Sequence, residues 1–310
     1  MCTPQSCKKE KGQFRQLIRG KRTITYLDGI IGAFVAAFGI YVIYRITVGL
    51  QYKWNWGAIP QYILRYEEEG RGLVPNLLLQ GLFTTIRLSL WGTFLATIFG
   101  TVMGLCRVSH GLFNRLVGRT YVELIRNLPP LVIIFIFYYF MSGQIMSALG
   151  VDDFVLNLPE GAKALVSFLF APPSLVSPFL SALVALAIFE GAYITEIIRS
   201  GIQSIERGIW EAGHALGLTR WQQMRHVILP LTVQRVLPPL AGQFISTIKD
   251  SAIVSVISIQ ELTFQGMELM AATYLTFEVW ITITVLYLLL TLSLSLGVER
   301  LEVYLRRSEA

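Results

Sequence analysis

Charge is what this sequence has least of. Only 15% of its 310 residues are Asp, Glu, Lys or Arg, against ~25% in soluble domains. With 54% of the chain apolar or aromatic, so few charges cannot cover a single water-soluble core. Disorder is excluded by the same numbers, because disordered chains combine low hydrophobicity with high net charge. Cysteine is scarce too. Cys2 and Cys7 lie in a basic N-terminal stretch and Cys106 ends an apolar run, which suggests no disulfide framework. No G-x-x-x-x-G-K-[ST] phosphate loop occurs, so ATP hydrolysis is not expected on this chain. No H-E-x-x-H, cysteine cluster or G-x-S-x-G element offers catalytic or metal chemistry. Repeats and low-complexity stretches are lacking as well. What the chain has instead is long apolar runs, and it reads as a membrane protein.

Six apolar segments, near residues 29–49, 81–106, 128–148, 176–198, 238–259 and 273–297, are long enough at ~1.5 Å per residue to cross ~30 Å of hydrocarbon. The first lacks a small-residue cleavage site and reads as a retained anchor rather than a signal peptide. Eighteen of the 26 Lys and Arg residues fall in the N-terminal tail (Lys8 to Arg22), residues 107–120, residues 199–237 and the C-terminal tail. The alternate loops hold four: Lys53, Arg65, Arg71 and Lys163. That bias places both termini in the cytoplasm. The net charge of +6 is therefore topology, not nucleic-acid binding. The outer loops, 50–75 and 149–175, are expected to be surface segments, partly helical, with Trp54 and Trp56 as headgroup-level anchors. The chain divides into a basic tail (1–28), an extra span with its outer loop (29–76), a main transmembrane region (77–300) and a short tail (301–310).

The loop at about 200–237 has the local grammar of helix, turn, helix. Gly217 follows Glu211-Ala212-Gly213-His214-Ala215-Leu216 and is suited to the left-handed conformation that ends a helix. Thr219 with Gln222 three residues on forms a capping-box pattern that starts the next. Pro230 is expected to halt that second helix after Val227-Ile228-Leu229. By helix signals alone this is a compact connector. A DNA-binding helix-turn-helix is disfavoured by its tethering between two spans.

The full spacing resembles the EAA signature of ABC-importer permeases, EAA-x3-G-x9-I-x-L-P: Glu211-Ala212, Gly217, then nine residues to Val227-Ile228-Leu229-Pro230. Gly213 stands for the second alanine and Val227 for isoleucine. Tyr121-Val122-Glu123-Leu124-Ile125-Arg126-Asn127-Leu128-Pro129 is similar to the Y-x-E-x-x-R-x-x-P element of polar amino-acid permeases. Ala192-Tyr193-Ile194-Thr195-Glu196-Ile197-Ile198-Arg199 resembles their A-Y-x-x-E-x-x-R element, and Lys249-Asp250-Ser251 a segment after the loop. The resemblance, over about 77–300, is to the histidine/glutamine/glutamate branch. It implies an all-α bundle with a five-span core and no enzymatic activity; the extra first span and the longer outer loops are departures from the family. It implies transport of a polar amino acid by alternating access across the bacterial inner membrane, in contact with lipid. Coupling residues would be Glu211, Ala212, Gly213, Gly217, Leu229 and Pro230. No cofactor belongs to this chain. ATP and Mg would be held by two partner ATPase subunits, alongside a second permease, identical or homologous, and a periplasmic binding protein. An ion-coupled carrier or a non-transporting scaffold would leave the EAA spacing as coincidence.

An ionisable group inside a span is costly and therefore a functional candidate. Glu190 lies twelve residues beyond Pro178, ~18 Å along a helix, and Lys249 eleven beyond Pro238, ~16 Å. Arg87 lies nearer the outer end of its span. A zwitterion needs an anion for its ammonium and a cation or free N–H groups for its carboxylate. Arg87, Glu190, Tyr193, Lys249, Asp250 and Ser251 are thus the substrate-path candidates, unless Lys249 merely pairs with Glu190 or offsets Asp250. Glu196 and Arg199, spaced i,i+3, read as a structural pair. Arg126 and Pro129 read as ordering the start of the third span. Interrupted helices present free backbone groups, which makes Pro129-Pro130 and Pro238-Pro239 of interest.

Overall fold

The computed structural model describes residues 26–49, 52–67 and 72–307. The basic stretch Lys8 to Arg22, Cys2, Cys7, Glu68, Glu69 and Arg71 lie outside the described residues. The chain divides into two units, Met1–Trp54 and Asn55–Ala310. The first contains helix α1 (Tyr26–Gly49).

The second unit opens on a 3-10 turn (Trp56–Ala58), α2 (Ile59–Ile63) and an antiparallel ribbon of β1 (Leu64–Glu67) with β2 (Gly72–Pro75). Leu64 stands opposite Pro75 and Glu67 opposite Gly72. The segment 50–75, expected to be partly helical, thus contains the short α2 and, beyond that expectation, this ribbon. Tyr66 and Val74 suit a pleated backbone, Gly72 takes φ 71° at the reversal, and Pro75 sits at the ribbon's end, where a missing N–H costs least.

Eleven further helices follow among the described residues: α3 (Leu77–Val108), α4 (Leu112–Asn127), α5 (Pro130–Phe140), α6 (Val151–Leu156), α7 (Glu160–Leu169), α8 (Val176–Gln203), α9 (Arg207–Ala215), α10 (Arg220–Gln223), α11 (Leu229–Asp250), α12 (Leu262–Thr273) and α13 (Thr276–Arg307). Four stretches are long and apolar enough to cross a membrane: Leu77–Val108, Pro173–Gln203, Arg220–Ile257 and Thr276–Arg300. A fifth counts if Leu112–Asn127 and Pro130–Met146, bent by 114°, form one broken span. The six expected segments thus resolve into four continuous stretches, one broken pair and the shorter apolar helix Tyr26–Val42. The break has a local cause. Leu128 precedes a proline and takes an extended ψ of 149°, because the ring of Pro129 clashes with a helical residue before it.

In the apolar 18-residue window of the span containing α8, 72% of the residues are buried, against 6% in that of α13, so α8 is the axis of this unit. Its closest neighbour is α3, which presents Gly92, Ala96, Gly100 and Gly104 at four-residue spacing, all buried. A Cβ at Gly100 would stand 2.8 Å from the Gly191 carbonyl oxygen and from Ile194. Between lipid-embedded helices the hydrophobic effect no longer drives association, so close backbone approach and its van der Waals contact must. At the other end of α3, Thr85 and Tyr287 donate to the Glu261 carboxylate at 3.3 and 2.8 Å, and the same side chain caps α12 by accepting from the Phe264 N–H at 2.8 Å. One buried carboxylate thereby joins α3, α12 and α13.

Pro230 does not halt the helix that begins at Arg220. A π-turn at Met224–Ile228 leads directly into α11, with Pro230 in its first turn. A proline there forfeits only a donor that a first turn leaves unpaired, and the π-turn is the kind of local register change that helices use to absorb such a defect. Pro238 and Pro239 are likewise carried inside α11. Their missing N–H groups deprive the carbonyls of Gln234 and Arg235 of helical partners.

Candidate functional site

The hairpin of α9 and α10 is built almost entirely from local hydrogen bonds. Gly217 adopts φ 73°; its N–H donates to His214 O at 3.0 Å and the Leu218 N–H to Gly213 O at 3.2 Å. That pair of bonds is the Schellman termination. Thr219 Oγ1 accepts from the Gln222 N–H at 3.3 Å, and Gln222 Oε1 accepts from the Thr219 N–H at 2.9 Å, closing the capping box. Gln223, which the sequence pattern did not single out, locks the two helices together. It is 1% exposed and its Nε2 donates to Trp210 O at 2.5 Å. Gly213 makes room for it: a Cβ there would meet Gln223 Cδ at 2.9 Å. The departure from alanine at 213 is therefore matched by a glutamine ten residues on. Glu211, Ala212, Leu229 and Pro230 are exposed, and Leu216 and Trp221 present apolar surface at 79% and 70% exposure.

Within the membrane region, Glu190 of α8 is fully buried. Its Oε2 accepts from Gln243 Nε2 at 2.6 Å, while Oε1 has no partner among the described residues. Asp250 and Thr247 of α11 face the same carboxyl group. Lys249 does not: it is exposed, and among the described residues Glu190 is met by Gln243 instead. Ser251 is buried, its hydroxyl donating to Ile248 O at 2.8 Å. One turn along α8, the Tyr193 ring carries the Arg126 guanidinium 5.3 Å from its centroid, within cation–π range. Glu196 pairs with Arg199, whose Nε donates at 2.9 Å, and also with Arg107 of α3. Arg107 counted in sequence only as a loop charge. Pro129 lies at the break between α4 and α5.

Three cavities sort these residues. One of about 210 Å³ is bounded by Arg126, Tyr193, Glu196 and Gln243. A neighbour of about 260 Å³ shares Arg126 and Glu196 and adds Arg107 and Glu123. Arg87 lines neither. It borders a separate cavity of about 290 Å³ that includes none of Glu190, Tyr193 or Lys249. The constellation expected from sequence is therefore split: Glu190 clusters with Gln243 and Asp250 but, like Asp250, lines none of the three cavities, Arg126 shares one of them with Gln243, and Arg87 stands apart. No group of three or more His, Cys, Asp or Glu suited to a metal occurs among the described residues.

Residues 96–307 match the family model described as the binding-protein-dependent transport system inner membrane component. The glutamine transport system permease protein GlnP of Escherichia coli (strain K12) is 34% identical over 255 residues, which is 82% of this chain and 97% of GlnP. The probable glutamine ABC transporter permease protein GlnM of Bacillus subtilis (strain 168) is 32% identical, covering 75% of this chain and 95% of that one. Among solved structures, an amino acid ABC transporter crystallised with histidines contains a chain 32% identical with a TM-score of 0.57, covering 73% of this chain and 92% of its own length.

Proposed function

The chain belongs to the binding-protein-dependent transport system inner membrane component family, and from that footing we propose that it lets a polar amino acid cross the membrane by alternating access, driven through the α9–α10 hairpin. It is a permease of the amino-acid ABC importers. The relatives named for glutamine support a polar amino acid as the substrate class. ATP and Mg belong to two partner ATPase subunits, substrate arrives from a periplasmic binding protein at the outer face, and a second permease completes the path across the bacterial inner membrane.

The observation that carries the reading is continuity. From Arg220 to Ile257 the chain is one helical stretch of 38 residues, with the exposed Trp221 at its start and Gln243, Lys249 and Asp250 in its second half. Gln243 lies 23 residues along, ~35 Å at 1.5 Å per residue. A push on the hairpin therefore moves the residues beside Glu190 as part of one rod. When the ATPases close on ATP, the rod tilts, and α11 shifts against α8 at the Glu190–Gln243 contact. The path then opens outward and a ligand ammonium takes the Glu190 oxygen that Gln243 leaves open; hydrolysis resets the path inward, with Arg126 receiving the carboxylate.

Gly217 tests this coupling. A Cβ there meets nothing within 4 Å, so Gly217→Val acts only through its positive φ, a strain of ~1–2 kcal/mol or more for a β-branched residue. In proteoliposomes holding the ATPase partner and an amino-acid-binding protein, the variant is expected to assemble yet lose ATP-driven uptake. Uptake at the wild-type rate would overturn the coupling role, and uptake that persists without ATP but needs a proton gradient would favour an ion-coupled carrier.

A further inference from the structure

The cavity bordered by Arg87 is chemically complete without Glu190. Arg87 is half-buried and, among the described residues, no carboxylate lies within ion-pair distance of it. It sits ten residues beyond Leu77, ~15 Å along α3. A 32-residue helix is ~48 Å long and overreaches ~30 Å of hydrocarbon at both ends, so Arg87 lies just inside one boundary, the outer one by the distribution of basic loops. A cation at that depth calls for an anion.

Six other polar residues, Gln80, Thr84, Ser167, Ser258, Gln260 and Gln265, line the cavity, and three of them offer acceptors. Thr84 Oγ1 donates to Gln80 O at 3.1 Å and Ser167 Oγ to Lys163 O at 2.8 Å, so each hydroxyl has spent its proton and keeps its lone pairs. Gln265 is 5% exposed, and its Oε1 has no hydrogen-bond partner among the described residues. A buried acceptor left unpaired is costly, and native proteins rarely tolerate one without a ligand or water to fill it. Phe83 and Phe179 supply apolar walls. The volume of about 290 Å³ is at the small end of ligand sites.

We propose that this cavity binds a small zwitterion bearing an oxyanion and a primary ammonium: the oxyanion on Arg87, the ammonium on Gln265 Oε1 with Thr84 and Ser167. A free α-amino acid and a phosphoethanolamine lipid headgroup share that chemistry. The site is distinct from the Glu190 cluster, which lies twelve residues deeper along α8 from the cavity residue Pro178. It rests on the cavity's own groups and stands whether or not the hairpin docks an ATPase.

The test uses the full-length chain in nanodiscs, comparing wild type with Arg87→Gln, Arg87→Lys and Gln265→Leu. In the first arm, radiolabelled L-glutamine is titrated in discs of phosphatidylcholine and phosphatidylglycerol. In the second, phosphatidylethanolamine is added and the lipid retained by the protein is counted by native mass spectrometry. Arg87→Gln and Gln265→Leu are expected to weaken one probe at least tenfold, with Arg87→Lys between; the arm that responds identifies the source. If both variants elute and melt like wild type and neither probe's binding changes, the proposal is wrong. Should Arg87→Gln fail to fold, Gln265→Leu decides by the same readout.

Discussion

Gly213 and Gln223 show how a departure from a family pattern is absorbed one residue at a time. Removing a methyl at 213 opens a notch on α9, and the Gln223 side chain fills it while satisfying the Trp210 carbonyl. Restoring alanine alone should overpack the notch and displace the amide, at ~1–3 kcal/mol. Gly213→Ala with Gln223→Ala should recover much of that loss, since the second change removes the obstruction. Thermal unfolding of both single variants and the double variant measures the coupling, and additive losses would mean that the two side chains act independently. Gly217 differs in kind. Its constraint is dihedral, with open space around it, so no compensating substitution on a neighbour is expected to rescue a β-branched residue there. Glu190 shows a third situation: one oxygen is held by Gln243. The other, with Asp250 and Thr247 facing the same carboxyl group, has no hydrogen bond among the described residues, a costly arrangement in a buried setting.

Among the elements, α3 and α8 form the contact on which the second unit depends. Every fourth residue of α3 from Gly92 to Gly104 is small, which lets the backbones meet where Gly191, Ile194 and Ile198 of α8 lie. Gly100→Leu would drive a side chain into the Gly191 carbonyl and Ile194, forcing the helices apart over their middle. Expected outcomes are a lower melting temperature in detergent and faster proteolysis, whereas Gly297→Leu on α13, with nothing within 4 Å of its Cβ, serves as the neutral control. Equal behaviour of the two would refute the seam. The long helix from Arg220 makes a related point. Two proline positions, 230 and 238–239, lie inside it without breaking it, whereas Leu128-Pro129-Pro130 bends the chain by 114°. The difference is in the flanks: a π-turn precedes Pro230, while residue 128 is already extended and no helical hydrogen bond carries over the break.

For the molecule as a whole, the charge distribution predicts that the α9–α10 hairpin faces the cytoplasm and residues 149–175 the opposite side. In a background lacking Cys2, Cys7 and Cys106, a cysteine at Leu216 should react with a membrane-impermeant maleimide only in inside-out vesicles. A cysteine at Phe154, 67% exposed, should react only in right-side-out ones. The reverse labelling would invert the topology and move the Arg87 cavity to the cytoplasmic face. With the predicted orientation the two polar regions fall in series: the Arg87 cavity near the outer boundary, the Glu190 cluster deeper, and the Arg107–Glu196–Arg199 ion pairs toward the hairpin.

The sequence by itself determined the membrane setting, the approximate spans, the hairpin with its Gly217 stop and Thr219–Gln222 start, and the i,i+3 partners Glu196 and Arg199. All of these rest on hydropathy, helical period or hydrogen bonds within a few residues, which are local quantities. Only the tertiary structure decided that Gln243 rather than Lys249 meets Glu190, that Arg107 joins Glu196, that Gln223 fills the notch at Gly213, and that Arg87 belongs to a cavity of its own. Each of those depends on the rotation of one helix against another. Linear spacing gives a residue's depth in the membrane but leaves the direction it faces to the packing of its neighbours.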